Sequence, residues 1–249
     1  MPEHGQRLSE RERHQREEQL SEELAEANRL REMLVSIMSH DLRSPLSVIV
    51  GYSGLIRTQS DDETVKRFID KIENAAMNAD EMIGDIKTYS QVKRGVFESD
   101  LEEIDLNAVL SDILRGLEGK IEERDITIDI KYQADTRFPV LGTELLKNAF
   151  LHTIDNAIKY SPEHETVTLT LDGEGSYWVL GVSDHGEGIP DDEKESVFER
   201  FVRKEKRGIK GSGIGLAITK SVVDAHSGNV RIADNPGGGC IFYITVPKA

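Results

Sequence analysis

The sequence predicts two bodies: an all-α helical hairpin, paired with a second copy into a four-helix bundle, and after it an α+β domain. Three observations predict this. Apolar residues recur at helical spacing from Leu20 to Ile86 with one polar break. That pattern stops at Arg94-Gly95. Beyond it, helical stretches alternate with short runs of period two. A chain of 249 residues is long enough for two modest domains of this kind.

The first body begins with a charged stretch, Arg7 to Arg31, rich in helix formers. Leu20, Leu24, Ala27, Leu34 and Met38 follow at spacings that suit a short coiled-coil seam, with Arg31 and Asp41 as polar interruptions. Residues 1–30 admit two readings, a solvated helix or a dimer-forming connector. Continuity with the next helix favours the connector. Leu42, Leu46, Ile49, Val50 and Ile56 carry the apolar stripe onward, and Thr58 to Asp62 reads as a polar loop. Val65, Phe68, Ile69, Ile72, Ala76, Ile83 and Ile86 mark a second amphipathic helix. Two helices bury too little to stand alone, and pairing two hairpins into a bundle solves this. The domain reading is 1–30 connector, 31–95 hairpin and 96–249 α+β domain.

In the second body, Leu106 to Arg124 reads as a helix, and the alternation Ile126, Ile128, Ile130, Tyr132 as a strand. Glu144 to Tyr160 reads as a helix. Val167, Leu169, Leu171 and Trp178, Leu180, Val182 read as a hairpin turning at Asp172 to Gly175. A helix from Ile214 to Ala225 and strands Val230 to Ala233 and Ile241 to Val246 close the layer.

Composition excludes several functions. There is no run of about 18 apolar residues, so the chain is expected to make no membrane contact of its own. No signal-peptide pattern is present. The single cysteine, Cys240, excludes an internal disulfide and fits a reducing cytosol. The expected location is cytoplasmic, as a soluble protein or the cytoplasmic portion of a membrane receptor. A formal charge of −15 argues against nucleic acid as a partner.

The chemistry-bearing segment of the hairpin is Ser39-His-Asp-Leu-Arg-Ser-Pro-Leu46. His40 is a nitrogen nucleophile near neutral pH, Asp41 can hold or take a ring proton, and Ser44 lies one turn on. Four blocks follow downstream: Asp155-Asn-Ala-Ile-Lys-Tyr-Ser-Pro162, Asp184-His-Gly-Glu-Gly-Ile-Pro190, Gly211-Ser-Gly-Ile-Gly-Leu-Ala217 and Pro236-Gly-Gly-Gly-Cys240. Each glycine cluster alone is a turn signal.

In this order, and with the histidine segment upstream, the blocks resemble the sensor histidine kinases of two-component signalling. The resemblance runs from roughly Asn28 to Pro247. It implies an α/β sandwich that binds ATP, of the gyrase, Hsp90 and MutL type, and a homodimer that serves the receiver domain of a response regulator. It implies His40 as the phosphorylated residue, assisted by Asp41. Asn156 resembles the magnesium ligand, an amide oxygen suited to a hard cation that keeps its waters. Lys159 and Tyr160 follow it toward the nucleotide. Asp184 resembles the acceptor of the adenine amino group, with Gly186, Gly188 and Ile189 around the base. Gly211, Gly213, Gly215 and Leu216 resemble the phosphate-side block at a helix N-terminus, where N–H groups favour anions. Phe198 and Phe201 resemble the anchor of a lid whose Arg203 and Lys210 are candidate phosphate contacts, a solvated loop being the alternative.

The sequence departs from the family pattern at four positions. His152 stands where many members have asparagine, Cys240 where threonine is common, Ser227 where glycine is common, and Ser44 where threonine or asparagine is usual. A hydroxyl at Ser44 implies modest phosphatase activity toward the regulator. Two rival functions remain at this point, an ATP hydrolase or serine kinase on the same fold and a noncatalytic dimeric scaffold. The histidine segment disfavours the first, and the intact Asn156 and Asp184 disfavour the second.

Overall fold

The computed structural model describes residues 35, 38–94, 100–133, 135–199 and 213–249. The expected connector, 1–30, lies outside the described residues. Helix α1 spans 38–59 and α2 spans Glu63–Arg94. The loop between them is shorter than the sequence suggests. Thr58 stays helical, its hydroxyl donating to the Leu55 carbonyl at 2.8 Å. Asp62 then caps α2, its carboxylate accepting from the Thr64 amide at 2.7 Å. Arg43 reaches Asp80 at 2.8 Å, and Arg57 reaches Asp70 and Glu73 at 2.6 Å each. These largely exposed pairs fix the antiparallel register; each contributes roughly 0–1 kcal/mol.

The hairpin has two apolar stripes. Ile69, Ala76 and Ile83, seven residues apart on α2, are buried. Leu42, Ile49 and Ile56 on α1 repeat with the same period yet stay exposed, as do Phe68, Ile72, Met82 and Ile86 on α2. A seven-residue repeat of this kind is a seam for another helix.

The second body contains β1 (Glu102–Asp105), α3 (Leu106–Glu123), β2 (Thr127–Ile130), β3 (Pro139–Gly142), α4 (Leu145–Tyr160) and β4 (Thr166–Glu174). It continues with β5 (Tyr177–Ser183), a 3₁₀ turn (Ser196–Phe198), α5 (Gly215–Ala225), β6 (Asn229–Asp234) and β7 (Cys240–Pro247). The main sheet runs β2-β4-β5-β7-β6. Only β2 and β4 are parallel. Val167, Leu169, Leu171, Leu180, Val182, Phe242, Ile244 and Val246 join one core with the buried faces of α3, α4 and α5. The architecture is thus a two-layer α/β sandwich, as expected.

The expected α3, α4, α5 and closing strands are present within a residue or so at their ends. Two features differ. Glu102–Asp105 and Pro139–Gly142 form a separate antiparallel pair that apolar alternation did not reveal, because neither segment alternates apolar with polar residues. The β4–β5 turn is tighter than expected, since Gly173 pairs with Trp178 and Glu174 with Tyr177. Gly175 makes this possible with a φ of 56°.

α2 does not end in solvent. Val92 belongs to the core of the second body, and Tyr89 packs against it. Among the described residues no helix is long and apolar enough to cross a membrane.

His226, at the end of α5, is buried as a neutral ring. Its Nδ1 lies 2.7 Å from the Val222 carbonyl, and its Nε2 accepts from the Thr143 amide at 3.1 Å. Desolvation holds its pKa below the ordinary value of 6.5, against the opposing pull of the Val222 carbonyl. The unfolded chain therefore binds a proton more readily than the native one. The stabilisation is complete above pH 6.5 and is lost as pH falls through that value toward the lower folded pKa. Thermal melts from pH 7.5 to 5 should show a steeper loss of stability for the wild type than for His226→Gln. Equal slopes would assign the acid sensitivity elsewhere.

Candidate active site

His40 lies on α1 with its side chain 87% exposed. Its Nδ1 is 3.2 Å from Asp41 Oδ1. With the proton on Nδ1, the carboxylate accepts it and leaves the Nε2 lone pair for a nucleophilic role. Ser44, one turn on, is also exposed, so its hydroxyl shares the face of the imidazole.

The second group of candidates is built on α4. One face of this helix buries Leu146, Ala149, Phe150, Thr153, Ile154, Ala157 and Ile158. Asn156 and Lys159 fall on the other face and remain half-exposed, and Tyr160 is exposed. Two basic residues, Lys120 of α3 and its C-cap Arg124, fix the end of α4, and neither was singled out from the sequence. Arg124 donates to the carbonyls of Ile158 at 3.1 Å and Ser161 at 2.7 Å, so it satisfies acceptors that a helix end leaves open. Lys120 pairs with Asp155 at 2.6 Å. Neither stands in a motif, and only the tertiary arrangement reveals them.

Asp184, just beyond β5, is buried. Its Oδ1 accepts from the amides of Gly186 at 2.8 Å and Cys240 at 3.2 Å. Asn235 donates from its side chain to the Asp184 carbonyl at 2.8 Å. Asn235 was not singled out from the sequence, although an asparagine before Pro-Gly-Gly is a turn signal. The glycines here are required by close approach. A Cβ on Gly239, at φ 86°, would collide with the Asp184 carbonyl and carboxylate. One on Gly186 would stand 2.9 Å from the Tyr160 carbonyl. Gly186 and Gly239 thus let three chain segments converge on one carboxylate. His185 steadies the loop, with Nδ1 2.9 Å from the Thr166 carbonyl. Ile189 packs at the edge of the core.

Cys240 is buried beside this carboxylate. Burial, and then the Asp184 charge, push its thiol up to about 11, so it stays protonated and unreactive at neutral pH.

On the phosphate-side block, Gly213 takes a φ of 69° and Gly215 starts α5. Leu216 packs against the core just after it. Gly188 also has positive φ, at 76°. The 3₁₀ turn places Phe198 against the core, and Lys194 ties the preceding segment to β6 through Asp234 at 2.7 Å. Gly211, Arg203, Lys210 and Phe201 lie outside the described residues. The structure therefore brings the C-terminal end of α4 at Tyr160 against Gly186 and its His152 turn beside Gly215. His40 belongs to the other body.

Among the described residues no cluster of three His, Cys, Asp or Glu side chains is disposed to hold a metal ion. A single amide oxygen at Asn156 fits a hard cation whose remaining ligands are water and phosphate.

The His Kinase A (phospho-acceptor) domain family matches residues 30–95, and the histidine kinase-, DNA gyrase B- and HSP90-like ATPase family matches residues 142–249. The solved structure of the mycobacterial sensor histidine kinase MprB is 35% identical to the chain, covering 59% of it and 97% of that structure's chain, with a TM-score of 0.51. The chain belongs to the sensor histidine kinases. Such kinases are ATP-dependent enzymes, and this one carries both the phospho-acceptor and the ATPase-type domain. The sensor-like histidine kinase SenX3 of Mycolicibacterium smegmatis is 33% identical over 86% of this kinase and 56% of its own length. The chain thus spans about half the length of the SenX3 relatives it matches. Full-length ShkA in complex with AMPPNP shares the fold, with a TM-score of 0.65 at 22% identity over 87% of this kinase and 46% of that chain.

Proposed function

We propose that this kinase, as a homodimer, phosphorylates its own His40 from magnesium-ATP and passes the phosphoryl group to an aspartate of a response regulator. The observation that carries this reading is the state of His40: an exposed imidazole whose Nδ1 is held by Asp41 and whose Nε2 is directed away from that bond. In the reaction the Nε2–P bond forms as the bond from the γ-phosphorus to the bridging oxygen breaks. ADP leaves, and Asp41 takes up the Nδ1 proton as charge develops on the ring. The resulting phosphoramidate is reactive enough to hand its phosphoryl group to a carboxylate.

The residues of the second body bind and orient. The fixed carboxylate of Asp184 is an acceptor for the adenine amino group. Gly186, Gly188 and Ile189 border the base, and Lys159 and Tyr160 the nucleotide. Gly211, Gly213, Gly215 and Leu216 form the phosphate side, with Arg203 and Lys210 from the lid. Asn156 holds magnesium, which when bound offsets phosphate charge and orients the γ-group. The unit boundaries we assign are 31–95 for the phosphotransfer hairpin and 96–249 for the nucleotide domain. A reduced thiol at Cys240 favours a cytoplasmic location.

Acid-labile, base-stable labelling from γ-labelled ATP should vanish in His40→Gln while nucleotide affinity stays within about twofold, because nucleophile and nucleotide site lie on different bodies. Asp184→Asn should weaken ATP binding on the order of tenfold, the equivalent of one charged hydrogen bond. Asn156→Ala should lose magnesium-dependent labelling. Persistent label in His40→Gln moves the acceptor elsewhere, and unchanged affinity in Asp184→Asn removes it from the adenine contact.

Ser44 is assigned to the reverse reaction. Its hydroxyl can hold a water beside the imidazole, less firmly than threonine would, since serine lacks the γ-methyl that restricts χ1. Ser44→Ala should slow regulator dephosphorylation in ADP and magnesium without slowing autophosphorylation, and Ser44→Thr should maintain or raise it. An Ala variant as fast as wild type excludes the role.

The exposed stripe through Leu42, Ile49 and Ile56 is assigned to the dimer seam. Sedimentation at micromolar concentration should give a dimer, and Ile49→Glu should shift it toward monomer. A wild-type monomer that autophosphorylates would contradict the bundle.

A further inference from the structure

One contact between the two bodies is polar and removed from water. Asp85 of α2 is only 4% exposed. Its Oδ1 lies 3.1 Å from Nε2 of His152 on α4. His152 is one helical turn before Asn156 and shares its face. The other ring nitrogen faces α5, where a Cβ on Gly215 would meet Nδ1 at 3.1 Å. A single imidazole is therefore wedged between the phosphotransfer hairpin and the first residue of the phosphate-side helix. A second polar contact lies one turn along α2, where Asn148 donates to Thr88 at 3.1 Å. Val92 completes the junction by entering the core of the nucleotide domain.

The junction stands at the level of His40. Arg43, three residues after His40, pairs with Asp80, and a Cβ on Gly84, immediately before Asp85, would meet its guanidinium at 3.6 Å. Yet the two side chains face different ways: Asp85 is buried under α4, whereas His40 is 87% exposed and covered by nothing described.

We propose that the Asp85–His152 pair is an autoinhibitory latch, which holds the nucleotide domain on α2 with a buried carboxylate across the His152 ring from the start of α5, in competition with nucleotide phosphates. This rests on the assignment above of the α5 start as the phosphate side. Two negative groups cannot share one imidazole and one helix N-terminus without mutual repulsion. Nucleotide binding and latch closure therefore oppose each other, and by linkage each weakens the other by the same factor. Removing the Asp85 carboxylate leaves the His152 Nε2 without this acceptor in a place removed from water, which favours separation of the two surfaces. Freed from Asp85, the nucleotide domain can turn its ligand toward His40.

The test uses the full chain and four variants: Asp85→Asn, His152→Asn, their combination, and Thr88→Val. ADP affinity by calorimetry needs no turnover, and the initial rate of acid-labile labelling at saturating ATP is read alongside. Asp85→Asn should tighten ADP binding on the order of 5- to 10-fold, the range of ordinary coupling between sites, and should label faster. His152→Asn, which installs the residue common in the family, should shift both readings in the same direction. In that background Asp85→Asn should add less than about twofold, because the pair acts as one unit. Thr88→Val should give a smaller change of the same sign. Unchanged or weaker ADP binding in Asp85→Asn, slower labelling, or independent effects of the two substitutions would overturn the latch. His40→Gln in the same assay separates the failures: label that persists there refutes the acceptor assignment, while the ADP cycle still judges the latch.

Discussion

The burial of one face of α4 is the constraint on which the other features depend. Phe150, Ile154 and Ile158 are essentially fully buried against the sheet, each contributing up to roughly 2–3 kcal/mol of apolar transfer. With that face committed, the 3.6-residue period leaves His152, Asn156 and Lys159 no other direction than away from the sheet. α3 then locks the helix end through Arg124 and Lys120. The polar side of α4 is rigid because the apolar side is packed, which is the preorganisation a phosphoryl-transfer site needs.

The same economy governs the Asp184 loop. Asp184 would be costly to bury alone, and its Oδ1 takes two main-chain amides from two different glycine blocks. That arrangement demands glycine at Gly186 and Gly239, where a side chain would strike the carboxylate or the Tyr160 carbonyl. The need for glycine in these two blocks is a matter of space around one carboxylate. The hairpin obeys the opposite logic. It has too little interior, so its apolar period stays on the outside, where we have proposed a second copy, and its last turns borrow the core of the second body through Val92.

Much of this was legible in the sequence, and the limits have physical causes. Helices and strands longer than about six residues announced themselves by period, and α4, β5 and β7 are where the pattern placed them. The pair β1–β3 did not, because Glu102–Asp105 holds a single apolar residue and Pro139–Gly142 sets its two apolar residues side by side. Among the proposed site residues, those within a motif, His40, Asp41, Asn156 and Asp184, could be proposed from the family resemblance their segments carry. Arg124, Lys120 and Asn235 act through carbonyls and a carboxylate distant in sequence, so no local pattern marks them. His152 was visible only as a departure from the family pattern. Its partner, Asp85, is 67 positions away on another helix, and folding alone brings the two together.

The central claim is that nucleotide binds on the outward face of α4, against the Asp184 loop and the start of α5. Amide NMR of the full kinase titrated with magnesium and a nonhydrolysable ATP analogue tests it most directly. The account predicts shifts concentrated at Asn156, Tyr160, Gly186, Gly188, Gly213 and Gly215. Thr168, Thr170 and Tyr243, on the sheet face away from the helices, should stay within the background. Saturable shifts centred on that outer face, or none at Gly186 and Asn156, would contradict it.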